Sequence, residues 1–283
     1  MTTTDTDPKS TTEVAVAARS KPPKKSRNVL RGLSGPLIVL LLVLGAWYLV
    51  SYAILDPDRR FLMPPPHKVI TDGLFGPSAQ EMWEALGRTT VVALTGLAIA
   101  AAIGITWAVI MSQSRMMENA LFPYAVILQC IPILALVPLV GFWFGFGFSA
   151  RVFVCVLIAL FPIVSNTLFG LKSVDRQMRD LFALHHPSRM TVLRKLEFPA
   201  ALPAIFAGLR ISAGLAVVGA IVGDFFFKQG NPGIGILIDN YRSRLQSEEL
   251  FASIILASLL GVAVFWFFGW LGNRVVGRWY QPT

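Results

Sequence analysis

Hydrophobic and polar positions divide the chain into six long apolar runs, at residues 35–55, 89–111, 121–142, 152–171, 204–227 and 250–271. A helix of about twenty residues reaches the roughly 30 Å of a bilayer's hydrocarbon core. The pattern therefore predicts an all-α integral membrane protein with about six transmembrane helices. One polar interruption stands apart, SVDRQMRDLFALHHPSRMTVLRKLEFPAALP at residues 173–203. It reads as two short helices forming an elbow. Val174, Met178, Leu181 and Phe182 recur at helical spacing, with Asp175, Arg176, Arg179 and Asp180 on the other faces. Ser173 is placed to cap the first helix and Ser188 the second. Pro199 and Pro203 are expected to end the second helix and restart the chain as the fifth run. An amphipathic elbow of this kind either docks a partner or lies on lipid headgroups, and its pattern leaves both open.

The basic residues set an orientation. The elbow region carries Lys172, Arg176, Arg179, Arg189, Arg194 and Lys195 against Asp175, Asp180 and Glu197, which places it in the cytoplasm. The leading segment 1–32 is polar, then basic at Lys21, Lys24, Lys25, Arg27 and Arg31, and reads as a disordered cytoplasmic tail. Residues 33–274 form the transmembrane domain, and 275–283 a short second cytoplasmic tail. Segment 56–88 falls outside, with Pro64, Pro65 and Pro66, a break at Gly76-Pro77, and an amphipathic helix from Ser78 into the second run. Residues 141–150, GFWFGFGFSA, are a tight outer turn that serves as a gate or docking rim, or as an aromatic interfacial belt. Residues 228–249 read as an outer loop.

Within the runs, Gly96 and Gly104 with Ala98, Ala100, Ala101 and Ala102 give the second a small-residue packing face. Pro132 and Pro138 permit a kink in the third. Gln129, Ser165, Asn166, Arg210 and Ser212 are the polar candidates to line a transport pathway, with the arginine suited to an anion. Arg210 and Asp224 stand fourteen positions apart on the fifth run, about 21 Å along a helix. They cannot pair with each other, so each needs another partner, a wet cavity, or room to snorkel.

Composition narrows the function classes. Hydrophobic residues make up 54% and charged residues 14%, against about 25% charged in soluble domains. The net charge of +9 sits mostly beside the runs, where it sets topology and meets lipid rather than nucleic acid. Cys130 and Cys155 lie inside apolar runs and read as small buried hydrophobes. His67 is isolated, and the adjacent His185 and His186 point about 100° apart on a helix, a poor chelate. No metal site is expected. No Gly-Lys pair occurs, so the phosphate-binding loop of nucleotide hydrolases is missing. No Ser-His-Asp constellation suggests catalysis. The chain reads as a non-enzyme without a cofactor.

The elbow also resembles the coupling signature of ABC-importer permeases: Glu-Ala-Ala, three residues, Gly, nine residues, then Ile-x-Leu-Pro. Asp180 takes the acidic position, Leu181 and Phe182 the alanines, His186 the glycine, and Leu196, Glu197, Phe198 and Pro199 the ending. The following stretch, PAALPAIFAGLRISAGLAVVGAIVGDF, is closer still. The resemblance spans roughly residues 64–274 and looks like the branch importing nitrate, sulfonates, taurine and vitamin precursors. The elbow pattern leans toward flavin or pyrimidine precursors. It implies a bacterial cell-membrane permease with both termini cytoplasmic. The implied partners are a cytoplasmic ATP-binding subunit, an extracytoplasmic solute-binding protein, the bilayer and a second permease copy, as a homodimer. It further implies that Arg176, Arg179, Asp180, Leu181, Phe182, His186, Ser188, Arg189 and Pro199 form the ATPase-coupling set. Two other classes compete. An ion-gradient-driven secondary transporter would titrate an intramembrane acid, for which Asp224 is the candidate. A membrane-embedded enzyme would need clustered His, Asp or Glu at one face.

Overall fold

The computed structural model describes residues 29–277, with side chains from residue 34 onward. The expected tails lie outside these residues, except that helix α1 (Val29–Leu49) already begins within the first and the last helix runs into the second. The chain divides into two compact units, residues 1–46 and 47–283. α1 continues as the wider π-type turns Val50–Ile54 and includes one span-length apolar stretch, Ser34–Ile54. A 3-10 turn, Pro57–Leu62, follows, and then a short helix α2 (Pro66–Lys68) that widens into Val69–Leu74. The Trp47 indole donates to the Pro64 carbonyl at 3.0 Å, fixing the Pro-rich segment.

Gly76-Pro77 breaks the chain as expected, and α3 (Ala79–Ser112) then runs unbroken for 34 residues. Its outer amphipathic part and the second apolar run are one helix. Ser114 caps α4 (Arg115–Cys130) by accepting from the Met117 amide at 3.1 Å. The third run is not one kinked helix. α4 ends, α5 (Ile133–Phe144) begins, and the two meet at 97°. Pro132 is the cause: the residue before a proline is pushed out of the helical region, and Ile131 sits at φ −65°, ψ 125°. Cys130 falls at this break and is exposed rather than buried. Among the described residues five helices are long and apolar enough to span a membrane, six if this bent pair counts as one. Gly145, at φ +74°, ends α5 and turns the chain into α6 (Phe148–Lys172).

α6 lies at the centre, packed between α3 and α9 (Phe198–Phe226). The core of this three-helix contact is Val92, Ala93, Leu97 and Ala100 of α3, Val152, Cys155, Ala159 and Ile163 of α6, and Ala213, Ala216, Val217 and Ala220 of α9. Small residues let the backbones approach. A Cβ added at Gly96 would lie 2.8 Å from the Cys155 sulfur, and one at Gly219 would lie 2.9 Å from the Cys155 Cα. Cys155 thus fills the slot between two glycine faces and donates its thiol to the Ala216 carbonyl at 2.8 Å.

The elbow follows α6 as α7 (Arg176–Ala183) and α8 (Arg189–Val192). The prolines after it do not end a helix. Arg189–Phe226 is one helical run of 38 residues, with wider π-type turns at Leu193–Glu197. Pro199 follows directly on those wider turns, inside the run. The wider turns absorb the ring clash that a tight helix would suffer. Residues 228–249 are not a plain loop either. They include α10 (Ile234–Ser243), whose Ile234, Leu237, Ile238 and Tyr241 are buried against Val69, Met82 and Ala85 and against Ala252, Leu256 and Ala257 of the last helix, α11 (Ser247–Val276).

Candidate functional site

The elbow is built by local capping. The Asp175 carboxylate accepts from the Gln177 amide at 3.4 Å and is the N-cap of α7. Ser173 does not fill that role: its hydroxyl donates back to the Gly170 carbonyl at 2.8 Å and finishes α6. Ser188 caps α8 as expected, accepting from the Thr191 amide at 3.3 Å. Between the helices His186 adopts φ +42°, the left-handed region that costs a side chain about 1–2 kcal/mol. Its amide donates to the Ala183 carbonyl at 3.0 Å. The turn keeps the backbone a glycine would take freely, although the residue is histidine.

Met178, Leu181, Leu184 and Met190 are exposed by 50–74% on this elbow, while Val174 and Phe182 are half-buried. Arg176 and Asp180 are exposed beside them. Arg179 turns inward, pairing with Glu197 at 3.4 Å and donating to the Leu171 carbonyl at 3.4 Å. Arg189 reaches the Gln113 carbonyl at 3.5 Å, between α3 and α4. Lys172 pairs with Glu118 of α4. A cavity of about 470 Å³ separates these ties, lined in part by Arg115, Glu118, Arg176, Arg179 and Glu197. Arg179 thus ties α7 to the end of α6 and to the turns that lead into α9, Arg189 ties α8 to the end of α3, and Lys172 joins α6 to α4 beside them. The elbow's apolar tips are left uncovered in the chain.

The five pathway candidates do not converge. Ser212 is fully buried and donates to the Ala159 carbonyl at 2.6 Å, inside the α6–α9 seam. Asn166 is in the same seam, donating to the Pro162 carbonyl at 2.8 Å, and Ser165 leans on that carbonyl at 3.4 Å. Gln129 is exposed at the end of α4. Arg210 lies on the other side of α9, over the Phe265 ring of α11 at 4.1 Å.

A second polar constellation, at the opposite ends of the spans, escaped the sequence reading. Asp224 does not snorkel. It is fully buried and pairs at 3.2 Å with Arg151, itself 4% exposed at the start of α6. Thr89 of α3 donates to the other carboxylate oxygen at 2.8 Å and in turn accepts from the Ile234 amide at 2.8 Å. The Gly235 amide donates to the same oxygen at 3.3 Å. Arg151 spends its remaining donors on the Phe227, Gln229 and Asn231 carbonyls at 2.7, 2.9 and 3.1 Å. A Cβ at Gly233 would run into Asp224, so the glycine is required by this close approach. The Asn-Pro-Gly loop is thus a clamp closed on an ion pair. A usable signal existed. Arg151 and Asp224 both fall at the outer ends of their runs, hence at one level. Nearby on the same face, Asp239 takes Lys228 and Arg242, the latter at 2.7 Å. The Lys228 ammonium, then the Arg242 guanidinium, hold its carboxyl below the usual carboxylate range.

Residues 87–277, from within α3 through α11, match the family described as binding-protein-dependent transport system inner membrane component. The chain belongs to that family. The matched stretch holds both the elbow and the Arg151–Asp224 clamp, whereas α1 and the Pro-rich segment precede it. Several permeases are similar over most of their length. A probable ABC transporter permease of Haemophilus influenzae is 30% identical over 85% of this chain and 96% of its own. The formylaminopyrimidine transport permease of Halalkalibacterium halodurans is 32% identical over 81% and 90%. A putative aliphatic sulfonates transport permease of Escherichia coli is 34% identical over 77% and 82%. The protein is a multi-pass membrane permease of ABC type.

Proposed function

We propose that this permease is the membrane subunit of a binding-protein-dependent importer, driven by ATP hydrolysed on a separate cytoplasmic subunit seated on α7 and α8. The observation that carries the reading is the elbow's construction. Met178, Leu181, Leu184 and Met190 present an apolar surface. Arg179 links it to Glu197 and to the Leu171 carbonyl of α6, and Arg189 links it to Gln113 at the end of α3, contacts that would carry its movement into the spans. Arg176, Asp180 and His186 lie exposed around the contact, and Ser188 and Pro199 shape its ends. A mobile lipid-resting segment has no use for such straps. Closure of two ATPases under two permease copies would draw the elbows together and switch access from one side of the membrane to the other. Both termini then lie in the cytoplasm, and a solute-binding protein delivers cargo outside. The cargo class is a small organic or anionic solute such as nitrate, a sulfonate or taurine, or a vitamin precursor. The formylaminopyrimidine and sulfonate permeases among its relatives support that range. An ion-gradient mechanism finds no free acid in Asp224, which is locked to Arg151.

The test is uptake and ATP hydrolysis in proteoliposomes holding the full transporter. Leu181→Asp combined with Phe182→Asp is expected to leave insertion intact and to abolish solute-stimulated uptake. Unchanged coupling would reject the elbow as the ATPase seat. Uptake sustained by an ion gradient without ATP would reject the mechanism.

A further inference from the structure

Arg210 is a charge in a spanning helix with an unusual set of neighbours. Among the described residues it makes no ion pair and no hydrogen bond, and its close partner is the face of Phe265. The guanidinium borders a cavity of about 200 Å³ between α9 and α11, with Pro203, Phe206, Phe268, Gly269 and Asn273 on its walls. Two glycines make the room. A Cβ at Gly269 would sit 3.1 Å from the Arg210 Nε, and one at Gly272 would sit 3.0 Å from the Phe206 Cβ. Arg210 is exposed, and a guanidinium whose donors are all unspent is costly within a membrane unless an anion, water or the headgroup layer meets it.

The level of the cavity on the spans says which anion. Arg210 is twelve residues into α9, on the half that joins the elbow. Gly269 and Asn273 lie in the last two turns of α11. Beside them Arg274 stacks over Trp270 at 5.6 Å, the pairing of an aromatic and a cation that marks a membrane–water boundary. The walls are apolar apart from Arg210 and Asn273, so the groove suits an acyl-bearing anion better than a free hydrated one. Basic pockets between spans on the cytoplasmic side hold anionic headgroups by this chemistry.

We propose that the groove between α9 and α11 binds the phosphate of an anionic phospholipid in the leaflet beside the elbow. Arg210 supplies the fork of donors, Asn273 a further one, and Phe206 and Phe268 flank the glycerol and upper acyl chain. The lipid would brace α9 against α11 on the helix that the elbow drives.

The experiment is native mass spectrometry of the full-length protein, delipidated in detergent. Phosphatidylglycerol and phosphatidylcholine of matched chains are offered at equal concentration. The wild type is expected to retain phosphatidylglycerol preferentially. Arg210→Gln should lower that retention about fivefold, as losing one arginine near a lipid phosphate does, and Arg210→Lys should keep the preference. The comparison of lipids on the wild type needs no variant, so a misfolded Arg210→Gln leaves it decisive. Equal retention of both lipids would overturn the proposal. So would full retention by Arg210→Gln. Soluble glycerophosphate that competes as well as the lipid would make the groove a free-anion site instead. Loss of a dimer mass in Arg210→Gln with unchanged lipid retention would make it a protein contact.

Discussion

Asp224 shows how a single residue can be costly alone and stabilising in company. A carboxylate fully removed from water is tolerated because Arg151, Thr89 and the Gly235 amide all meet it. Removing one member of a buried charge pair leaves the other uncompensated and costs about 3–5 kcal/mol. Asp224→Ala is therefore expected to lower the melting temperature of the purified protein sharply. Thr89→Val should cost less, about 1–3 kcal/mol, because it deletes a neutral hydroxyl and leaves the neutral Ile234 amide, rather than a charge, without its partner. A thermal shift series on the two variants and wild type checks the order, and an Asp224→Ala protein as stable as Thr89→Val would refute it. His186 was legible as a departure from the glycine of the coupling signature. What could not be read from residue identity is that the surrounding caps hold the same left-handed turn regardless.

Helix packing belongs to the next scale. The α3–α6–α9 contact relies on shape rather than on polar bonds, with Cys155 held between Gly96 and Gly219. Apolar side chains gain little by leaving lipid for protein, so close backbone approach and van der Waals contact carry the association. Gly219→Leu should push α9 off α6, and large insertions into a close-packed site typically cost about 1–3 kcal/mol or more. The expected outcome is loss of the monodisperse peak in size-exclusion chromatography. Gly214→Leu, on the same helix but with open space at its Cβ, should behave as wild type. Equal behaviour of the two would remove the glycine face from the account. Of the small-residue face expected on α3, Gly96, Ala100 and Gly104 are buried in the contact, whereas Ala98 and Ala102 are exposed, off that face. α10 was missed although Ile234, Leu237, Ile238 and Tyr241 keep a helical rhythm. Gly230, Pro232 and Gly233 just ahead of them, with Gly235 inside the first turn, made the whole segment look like loop.

For the whole molecule, the elbow and the Asn-Pro-Gly clamp sit at opposite ends of α9, whose 29 residues span about 43 Å. A helix of that length crosses the hydrocarbon core, so the two ends face different compartments. In a Cys130→Ser background, which removes the exposed native thiol, Ser188→Cys should label only after the cytoplasmic face is opened. Gly230→Cys should label from outside intact cells. Labelling of both from one side would break the topology and, with it, the seat for a cytoplasmic motor.

Apolar run length was enough to determine a multi-pass membrane protein and its one large polar bend, and charge bias gave the orientation that the labelling tests. Those are properties of the chain against water and lipid, summed over many residues. The 97° break at Pro132, the unbroken helix through Pro199 and Pro203, and the Arg151–Asp224 clamp were decided only by the fold. A proline's effect depends on whether neighbouring turns can widen. A buried charge depends on which distant helix brings its partner to the same depth, and neither is a property of the residue by itself.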